Sequence, residues 1–170
     1  GSNLSGAVGN GTTFHQLKAV KLTNIAESVA ILPDIVSLSA GGWHSACVNR
    51  KGELFVWGWN QDGQCCHEDT RTNPLAPQRV LIDNLDETFP SPYSVIKRVQ
   101  CGLHHTLALT YDGVVFAFGS NEFGECAQEA SAGKHFTTAQ LVWFEEPMIE
   151  ICAFSKSRIS LSRSQLNFYV

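Results

Sequence analysis

Short apolar runs joined by turn residues dominate the middle of the chain. The runs "ACV" and "LFVW" lie on either side of "NRKGE", and further on "VVFAF" follows the turn "TYDG". The first turn contains Asn49 and Gly52, and the second contains Asp112–Gly113, a pair strongly preferred in short hairpin loops. Because glycine adopts positive φ without steric cost, this pattern predicts two β-hairpins.

The same runs indicate how the strands are buried. They are apolar at successive positions rather than at alternate ones, which favours strands covered on both faces, as in stacked sheets. After the first hairpin, the polar and proline-bearing stretch "HEDTRTNPLAPQ" leads to another predicted strand, "RVLI". Helical periodicity is found mainly in "HQLKAVKLTNIAESVAIL". We interpret that segment as a mixture, because it aligns with strand and loop in the next repeat.

The hairpin pattern occurs twice, at a fixed spacing. A shift of 61 residues superimposes equivalent histidines, glycines and asparagines: His44 on His105, Gly58 on Gly119 and Asn60 on Asn121. A shift of 57 places "GSNLSG" at residues 1–6 on "GWNQDG". A shift of 52 places the C-terminal residues on the second hairpin, where the match is weak. Self-similarity at a nearly constant period is typical of repeat architectures.

These shifts divide the chain into repeat units 1–57, 58–118 and 119–170, of which the last is degenerate. The units are permuted, because residue 1 follows the aromatic position held by Trp57 and Phe118, and residue 1 is not expected to be a natural start. Four predicted strands in each unit indicate an all-β fold made of β-propeller blades. Tryptophan-aspartate repeats of about 40–45 residues and kelch repeats of about 50 fit less well.

Both hairpin segments resemble the repeats of the regulator of chromosome condensation family. The family pattern has Gly-x-x-His-Ser/Thr, an apolar strand, an Asp-Gly turn, a second apolar strand, Trp-Gly, x-Asn and x-x-Gly-Gln-Leu-Gly. It is matched by "GGWHSACVNRKGELFVWGWNQDGQCCHEDT" and "CGLHHTLALTYDGVVFAFGSNEFGECA", most strongly over residues 38–70 and 99–126. The chain departs from it at Cys65–Cys66, where Leu-Gly is usual, and at Phe118, where Trp is usual.

The resemblance implies a propeller whose full ring has seven blades. We therefore expect residues 1–170 to form a single partial propeller domain of about three four-stranded repeats, with each hairpin at a blade edge. Within the family, "AGGWHS" and "WGWN" are especially similar to the member that partners a Jumonji-type oxygenase. "WGWN" followed by a cysteine-bearing loop is also similar to the secretion-regulating exchange-factor-like member, and both alternatives stay open.

The charge balance argues against nucleic acid and membranes as direct partners. Twelve Lys and Arg against 16 Asp and Glu give a net charge of -4, which lacks the basic footprint of a DNA- or RNA-binding protein. An acidic surface is also unsuited to anionic lipid, and no apolar run approaches the length of a membrane span. Nucleosome binding is disfavoured for the same electrostatic reason.

Six cysteines raise the question of disulfides or zinc. Four of them lie singly beside apolar residues, where free cysteine behaves as a small hydrophobic residue: Cys47, Cys101, Cys126 and Cys152. The Cys65–Cys66–His67 segment suggests zinc, but no second ligand pair follows at finger-like spacing. We favour buried thiols in a reducing, intracellular compartment, the cytoplasm or the nucleus. We expect no metal and no cofactor.

The repeated histidines, glycines and asparagines are expected to be structural rather than catalytic. A catalytic group is rarely needed once per blade, and the family pattern implies imidazoles that tie a strand to a neighbouring loop or blade. The glycines follow no nucleotide-binding fingerprint, no nucleophile elbow is present, and the asparagines are expected to cap local backbone. These structural positions are Gly41, Gly42, His44, Gly52, Trp57, Gly58, Asn60, Gly63, Gly102, His105, Gly113, Gly119, Asn121 and Gly124.

Three residues are candidates for contact with a partner: Trp43, Trp59 and His104. Trp43 lies in a glycine-flanked corner, and His104 is expected at the surface because its neighbour His105 should point the opposite way. We expect a non-enzymatic module that holds a protein partner, such as a small GTPase or a chromatin-associated enzyme, through loops on one face. The alternative is guanine-nucleotide exchange on a small GTPase, the best-known activity of the family. Exchange needs a shaped wedge that favours the nucleotide-free GTPase, rather than catalytic side chains.

Overall fold

The structure is a computed structural model that describes residues 1–22, 34–82, 95–129, 132–162 and 166–169. Within these ranges the chain forms strands and no α-helix. The strands are β1 (Ile35–Ala40), β2 (His44–Asn49), β3 (Leu54–Gly58), β4 (Gln78–Val80), β5 (Ile96–Cys101), β6 (His105–Thr110), β7 (Val115–Ser120), β8 (His135–Val142), β9 (Met148–Phe154), β10 (Ser157–Ser162) and β11 (Leu166–Tyr169).

The strands form three antiparallel sheets that follow one another along the chain. The first sheet has the order β1-β2-β3-β4 and the second has the order β5-β6-β7-β8. The third, within the described residues, has the order β11-β10-β9. Strand β5 contacts β1 and β2 of the preceding sheet, and β9 contacts β5 and β6. This arrangement confirms the predicted all-β fold of successive propeller blades.

The repeated hairpins form the middle of each sheet, so the prediction that they are blade edges is wrong. Strands β2 and β3 are flanked by β1 and β4, and all their residues are buried. A strand that is apolar at every position needs cover on both faces, which an interior position provides. The strand predicted over "RVLI" ends at Val80, and the side chain of Leu81 is 61% exposed.

Equivalent residues of the two hairpins occupy equivalent places in their sheets. His44 pairs with Gly58 and His105 with Gly119 across the central strand pair. Each four-stranded sheet takes its first three strands from one predicted unit and its fourth strand, β4 or β8, from the next unit, because the units were divided after the third strand. The unit boundaries 1–57, 58–118 and 119–170 stay a prediction.

The apolar core lies between successive sheets. One buried cluster joins Val48 and Val56 of the first sheet to Val99 and Phe116 of the second. Another joins Leu107 of the second sheet to residues of β9 in the third. Burying apolar surface between sheets at roughly 25 cal/mol per Å² is the main favourable contribution to such a stack.

The loops lie at two opposite ends of the sheets. At one end are the loops 41–43, 59–77, 102–104, 121–129 with 132–134, and 155–156, which we call the corner face. At the other end are the turns 50–53, 111–114 and 143–147, which we call the turn face. Residues 1–22 contain no strand or helix; they contact the first sheet at this same end, through Ser5 and Ala7, and we count them as part of the corner face. Of the segment predicted to be mixed, residues 23–32 lie outside the described residues.

Candidate interaction surface

Three loops of the corner face are organised around one buried asparagine each. Asn3, Asn60 and Asn121 stand at equivalent repeat positions, and all three are at most 4% exposed. The side-chain amide nitrogen of each donates to two carbonyl groups of its own loop: Thr12 and Phe14 for Asn3, His67 and Asp69 for Asn60, Gln128 and Gly133 for Asn121. Each side-chain oxygen accepts one backbone N–H, from Val8, Cys65 and Cys126 respectively. These bonds satisfy buried backbone groups that strands leave unpaired.

Hydroxyl groups join the first two of these loops to the sheet that follows each of them. Ser45 Oγ donates to the carbonyl of Ala7 at 2.8 Å, and Thr106 Oγ1 donates to the carbonyl of Gln64 at 2.8 Å. His44 Nε2 lies 2.8 Å from the same Thr106 oxygen. Because the hydroxyl proton is already directed at Gln64, His44 Nε2 is the donor in that contact. The histidine therefore links the first sheet to the second.

Burial keeps the His44 imidazole neutral. Desolvation, with the nearby His105 and His104 as smaller causes, lowers the pKa of His44 to about 3. A fully buried, neutral imidazole whose donor nitrogen is held by Thr106 is a structural tie rather than an accessible general base. His105 is likewise buried and its backbone carbonyl accepts the amide of Gly102.

Glycine is required where the third strand passes the corner. Gly58 has φ 107° and Gly119 has φ 105°, values that disfavour any side chain. A Cβ at Gly58 would also lie 2.7 Å from His44 Cα, and one at Gly119 would lie 2.8 Å from His105 Cα. The remaining predicted glycines lie in the corners or in tight turns of the same sheets: Gly41, Gly42, Gly52, Gly63, Gly102, Gly113 and Gly124.

At an equivalent position in each repeat, a residue of the loop contacts the short connection between the first two strands of the following sheet. The three contacts are chemically different. Ser5 Oγ donates to the carbonyl of Trp43 at 2.8 Å. One repeat later, Asp62 lies 2.9 Å from His104 Nδ1, and one repeat further, Lys156 Nζ lies 4.0 Å from the centre of the Phe123 ring. The 57- and 61-residue shifts align the loop members, Ser5, Asp62 and Phe123. We call these three contacts the rim pairs.

Of the four tryptophans, two share the corner face, one is internal, and the fourth, Trp143, lies on the turn face. Trp43 is 45% exposed, and its ring lies 6.4 Å from that of the half-buried Trp59, tilted by 44°. Trp57 is 3% exposed and donates from Nε1 to the carbonyl of Ala7 at 2.9 Å. The structure thus brings Trp43 and Trp59 together, beside the rim.

His104 is less exposed than expected. Its side chain is 31% exposed, because Asp62 approaches Nδ1 from the preceding loop. His135 Nδ1 lies 3.3 Å from the other oxygen of the same carboxylate. Asp62 and His135 were not singled out from the sequence, where each is an ordinary polar residue beside a turn or strand. The one signal available for Asp62 is its alignment with Ser5 and Phe123.

All six cysteines are free, and four are buried: Cys47, Cys65, Cys101 and Cys126. Burial raises the pKa of Cys47 to about 12 and that of Cys101 to about 12. Cys152 is exposed, so the prediction that it is a buried thiol is wrong; its neighbour Ile151 fills the buried position in β9, and adjacent residues of a strand point to opposite faces.

Neither a metal site nor a membrane-spanning helix is found in the part of the chain that the structure describes. No three His, Cys, Asp or Glu side chains there have the arrangement of a metal site. In the Asp62 cluster both imidazoles direct Nδ1 at the carboxylate itself. No helix in the described ranges is long and apolar enough to cross a membrane.

Two family models described as "Regulator of chromosome condensation (RCC1) repeat" match the chain. One matches residues 51–109, and the other matches residues 35–64 and 96–125. Together they extend over residues 35–125, more than half of the 170 residues. Each match of the second model contains the first three strands of one sheet and the asparagine that follows them.

Individual proteins are similar over much of this chain but are considerably longer. Human RCC1 domain-containing protein 1 is 24% identical over 158 aligned residues, which cover 76% of this chain and 41% of that protein. The structure of human WBSCR16 has a TM-score of 0.68 at 20% identity, covering 95% of this chain and 38% of that one. Prp20p from Saccharomyces cerevisiae, whose structure is described with its binding properties to Gsp1p and histones, has a TM-score of 0.54 at 22% identity, covering 74% of this chain and 30% of that one. The chain thus spans less than half the length of each, and the structural likenesses show the fold alone.

Proposed function

The chain belongs to the regulator of chromosome condensation (RCC1) repeat family, and we propose that it is a non-enzymatic module that holds a protein partner through its corner face. The observation that carries this proposal is the Trp43–Trp59 pair, which lies on loops while the sheets beneath it are buried. Aromatic residues held by a rigid scaffold are typical anchors of protein interfaces.

The polar residues of the same face support binding rather than chemistry. His44 is buried and neutral, Asp62 faces His104, and the ammonium group of Lys156 lies over the ring of Phe123. On the same face, two partly exposed histidines and a carboxylate supply polar groups of the kind that protein interfaces usually have at their edge. The free thiols fit a protein of a reducing compartment, and we infer that it works in the cytoplasm or the nucleus.

The test compares two exposed tryptophans at opposite ends of the sheets. The unaltered chain, the Trp43→Ala variant and the Trp143→Ala variant are immobilised in equal amounts, and proteins retained from a cell extract are quantified. We expect Trp43→Ala to lose the specific partner, by about tenfold or more, whereas Trp143→Ala on the turn face retains it. Equal capture by all three chains would contradict the corner face as the binding surface.

Guanine-nucleotide exchange is the second candidate, favoured by the best-known activity of the family and by the likeness to Prp20p, described with binding to Gsp1p. Release of labelled GDP from a panel of small GTPases separates it from simple binding. A scaffold retains its partner in stoichiometric amounts without changing the release rate. Acceleration at substoichiometric amounts would refute the scaffold, and stoichiometric binding without acceleration would refute exchange.

A further inference from the structure

A groove lies on the turn face, at the end of the second sheet; we call it the second groove. It has a volume of about 240 Å³ and is bordered by the turn 111–114, the end of β8 and the segment 143–147. Leu141 and Val114 contribute apolar surface, and the side chain of Trp143 is 76% exposed at its edge. The turn is fixed against the start of β9, because Met148 N donates to the carbonyl of Gly113 at 2.9 Å. The groove therefore lies where the backbone of the second sheet is hydrogen-bonded to that of the third.

The first sheet has a groove at the equivalent place, which provides an internal control. In both sheets the glycine of the turn accepts the first amide of the next sheet, Ile96 N at 3.0 Å in the case of Gly52. In the first groove, however, the positions of Leu141 and Val114 are taken by Arg79 and Glu53. These two form an ion pair at 3.2 Å.

The charge of the second groove has one sign. Three carboxylate residues line it, Asp112, Glu145 and Glu146, and no Lys or Arg is among its described lining residues. In the first groove Lys51 stands at the position of Asp112. The two grooves thus share a backbone and differ in chemistry: one is filled by paired charges, and the other joins an apolar floor to acidic edges.

From this contrast we propose that the groove between the second and third sheets binds a short extended protein segment in which Lys or Arg residues flank an apolar side chain. The apolar side chain packs on Leu141 and Val114. The cationic groups approach Asp112 and Glu145, and one of them lies over the exposed indole of Trp143, where a cation–π contact adds to the attraction. Charge complementarity selects this occupant over an acidic or a purely apolar one.

This surface is independent of the proposed corner face. Strand β6 separates the corner 102–104 from the turn 111–114, and its six residues span roughly 20 Å. A partner bound at Trp43 therefore leaves the turn face open.

The direct test uses a fluorescein-labelled peptide, Gly-Lys-Leu-Lys-Gly-Lys-Leu-Lys-Gly, and measures its anisotropy as the full chain is added. Two control peptides carry Glu in place of Lys, or Ser in place of Leu. We expect binding of the first peptide and at least tenfold weaker binding of both controls. Raising the ionic strength from about 0.05 M to about 0.3 M should weaken the first interaction severalfold, because the carboxylates are exposed to solvent.

Variants assign the binding to the groove. We expect Trp143→Ala to weaken binding about tenfold and the double variant Asp112→Asn, Glu145→Gln to weaken it about fivefold while flattening the salt dependence. Leu81→Ala, at the position of Trp143 in the first groove, should change it less than about twofold. Trp143→Phe, which keeps an aromatic ring, should retain most of the binding, and circular dichroism confirms the fold of each variant.

Several outcomes would overturn the proposal. Equal binding of the lysine and glutamate peptides, or equal loss with Leu81→Ala and Trp143→Ala, would exclude a basic occupant of this groove. Loss of peptide binding in Trp43→Ala with full binding in Trp143→Ala would move the site to the corner face. A dimer in light scattering that Trp143→Ala dissociates would assign the groove to a second copy of the chain instead.

Discussion

In the loop after its third strand, each of the first two sheets holds one buried asparagine with equivalent backbone partners. The rim pairs, whose loop members Asp62 and Phe123 lie two residues further along the chain, have nothing chemical in common. Asn60 and Asn121 bond the same set of loop groups at distances within 0.1 Å of each other. At the rim, a carboxylate facing an imidazole in one repeat is replaced by an aromatic ring under an ammonium group in the next.

This difference between the asparagines and the rim pairs indicates which repeat positions can change and which cannot. A buried amide with three partners cannot be replaced without leaving carbonyl or N–H groups unsatisfied, at a cost of about 1–3 kcal/mol for each. A half-exposed pair on the rim contributes about 1 kcal/mol or less, because water competes for both members. The buried asparagines and the loop groups that they bond, which we call the frame, therefore stay constant. The residues of the rim pairs can differ from one repeat to another.

The largest effect is expected from removing the frame asparagines. Asn60→Ala and Asn121→Ala should each lower the free energy of unfolding by about 3 kcal/mol, since each leaves two buried carbonyls and one amide without partners. Urea unfolding measures both, with Gln61→Ala at an exposed neighbour as the control, expected within about 0.5 kcal/mol of the unaltered chain. A cost below about 1 kcal/mol for one asparagine and not for the other would break the equivalence of the two loops.

The next largest effect is the pH dependence caused by His44. Its pKa is about 3 in the folded chain and about 6.5 when unfolded, so between these values the unfolded chain binds more protons. Stability is therefore full above pH 6.5 and falls as the pH decreases, by about 2 kcal/mol between pH 7 and pH 5. His44→Gln should remove this slope even though it lowers stability at pH 7.

Urea midpoints at several pH values measure that slope. His135→Gln, at a histidine that is 49% exposed, is the matched control and should keep the slope of the unaltered chain. If His44→Gln retained the full slope, the acid sensitivity would have to arise elsewhere, and His44 would not be the neutral tie between the first two sheets.

The smallest effects are expected at the rim pairs, measured as coupling energies in double-mutant cycles. The cycle of Asp62→Ala with His104→Ala should give about 0.5–1 kcal/mol, and that of Phe123→Ala with Lys156→Ala about 0.5 kcal/mol. Raising the salt concentration should reduce the first coupling more than the second. A coupling above about 2 kcal/mol in either pair would place that pair in the frame rather than on the rim.

The fold could be predicted from the sequence to the extent that local residues determine it. The hairpins β2–β3 and β6–β7 follow from continuous apolar runs around turns with Gly52 and Gly113, and the 61-residue shift supplies their repetition. The position of the hairpins within the sheet was predicted wrongly, because a turn specifies which strands pair but not which further strands flank them. Strand β4 ends at Val80, earlier than the apolar run predicts, and the next residue, Leu81, is exposed.

The candidate site was less predictable. Trp43 could be placed on an exposed corner from its flanking glycines, and the structure adds Trp59 as its neighbour. The partners of His104 could not be anticipated, because Asp62 lies 42 positions earlier in the sequence. Contacts of that kind depend on how one sheet stacks on the next, and each rim position carries a different residue type, so no motif marks it. The groove at Trp143 was not predicted either, because its chemistry is recognised only when the equivalent grooves of the first and second sheets are compared.

The hydroxyl links of Ser45 and Thr106 run in the same direction along the chain. The loop at Ala7 is held by Ser45, and the loop at Gln64 is held by Thr106, so each loop is fastened by a strand made later. During synthesis on the ribosome, a loop emerges about forty residues before the hydroxyl that secures it, a delay of several seconds at 5–20 residues per second. During this delay each newly synthesised loop is expected to lack its hydroxyl bond. A chaperone that recognises such loops would meet them in the order in which they are synthesised.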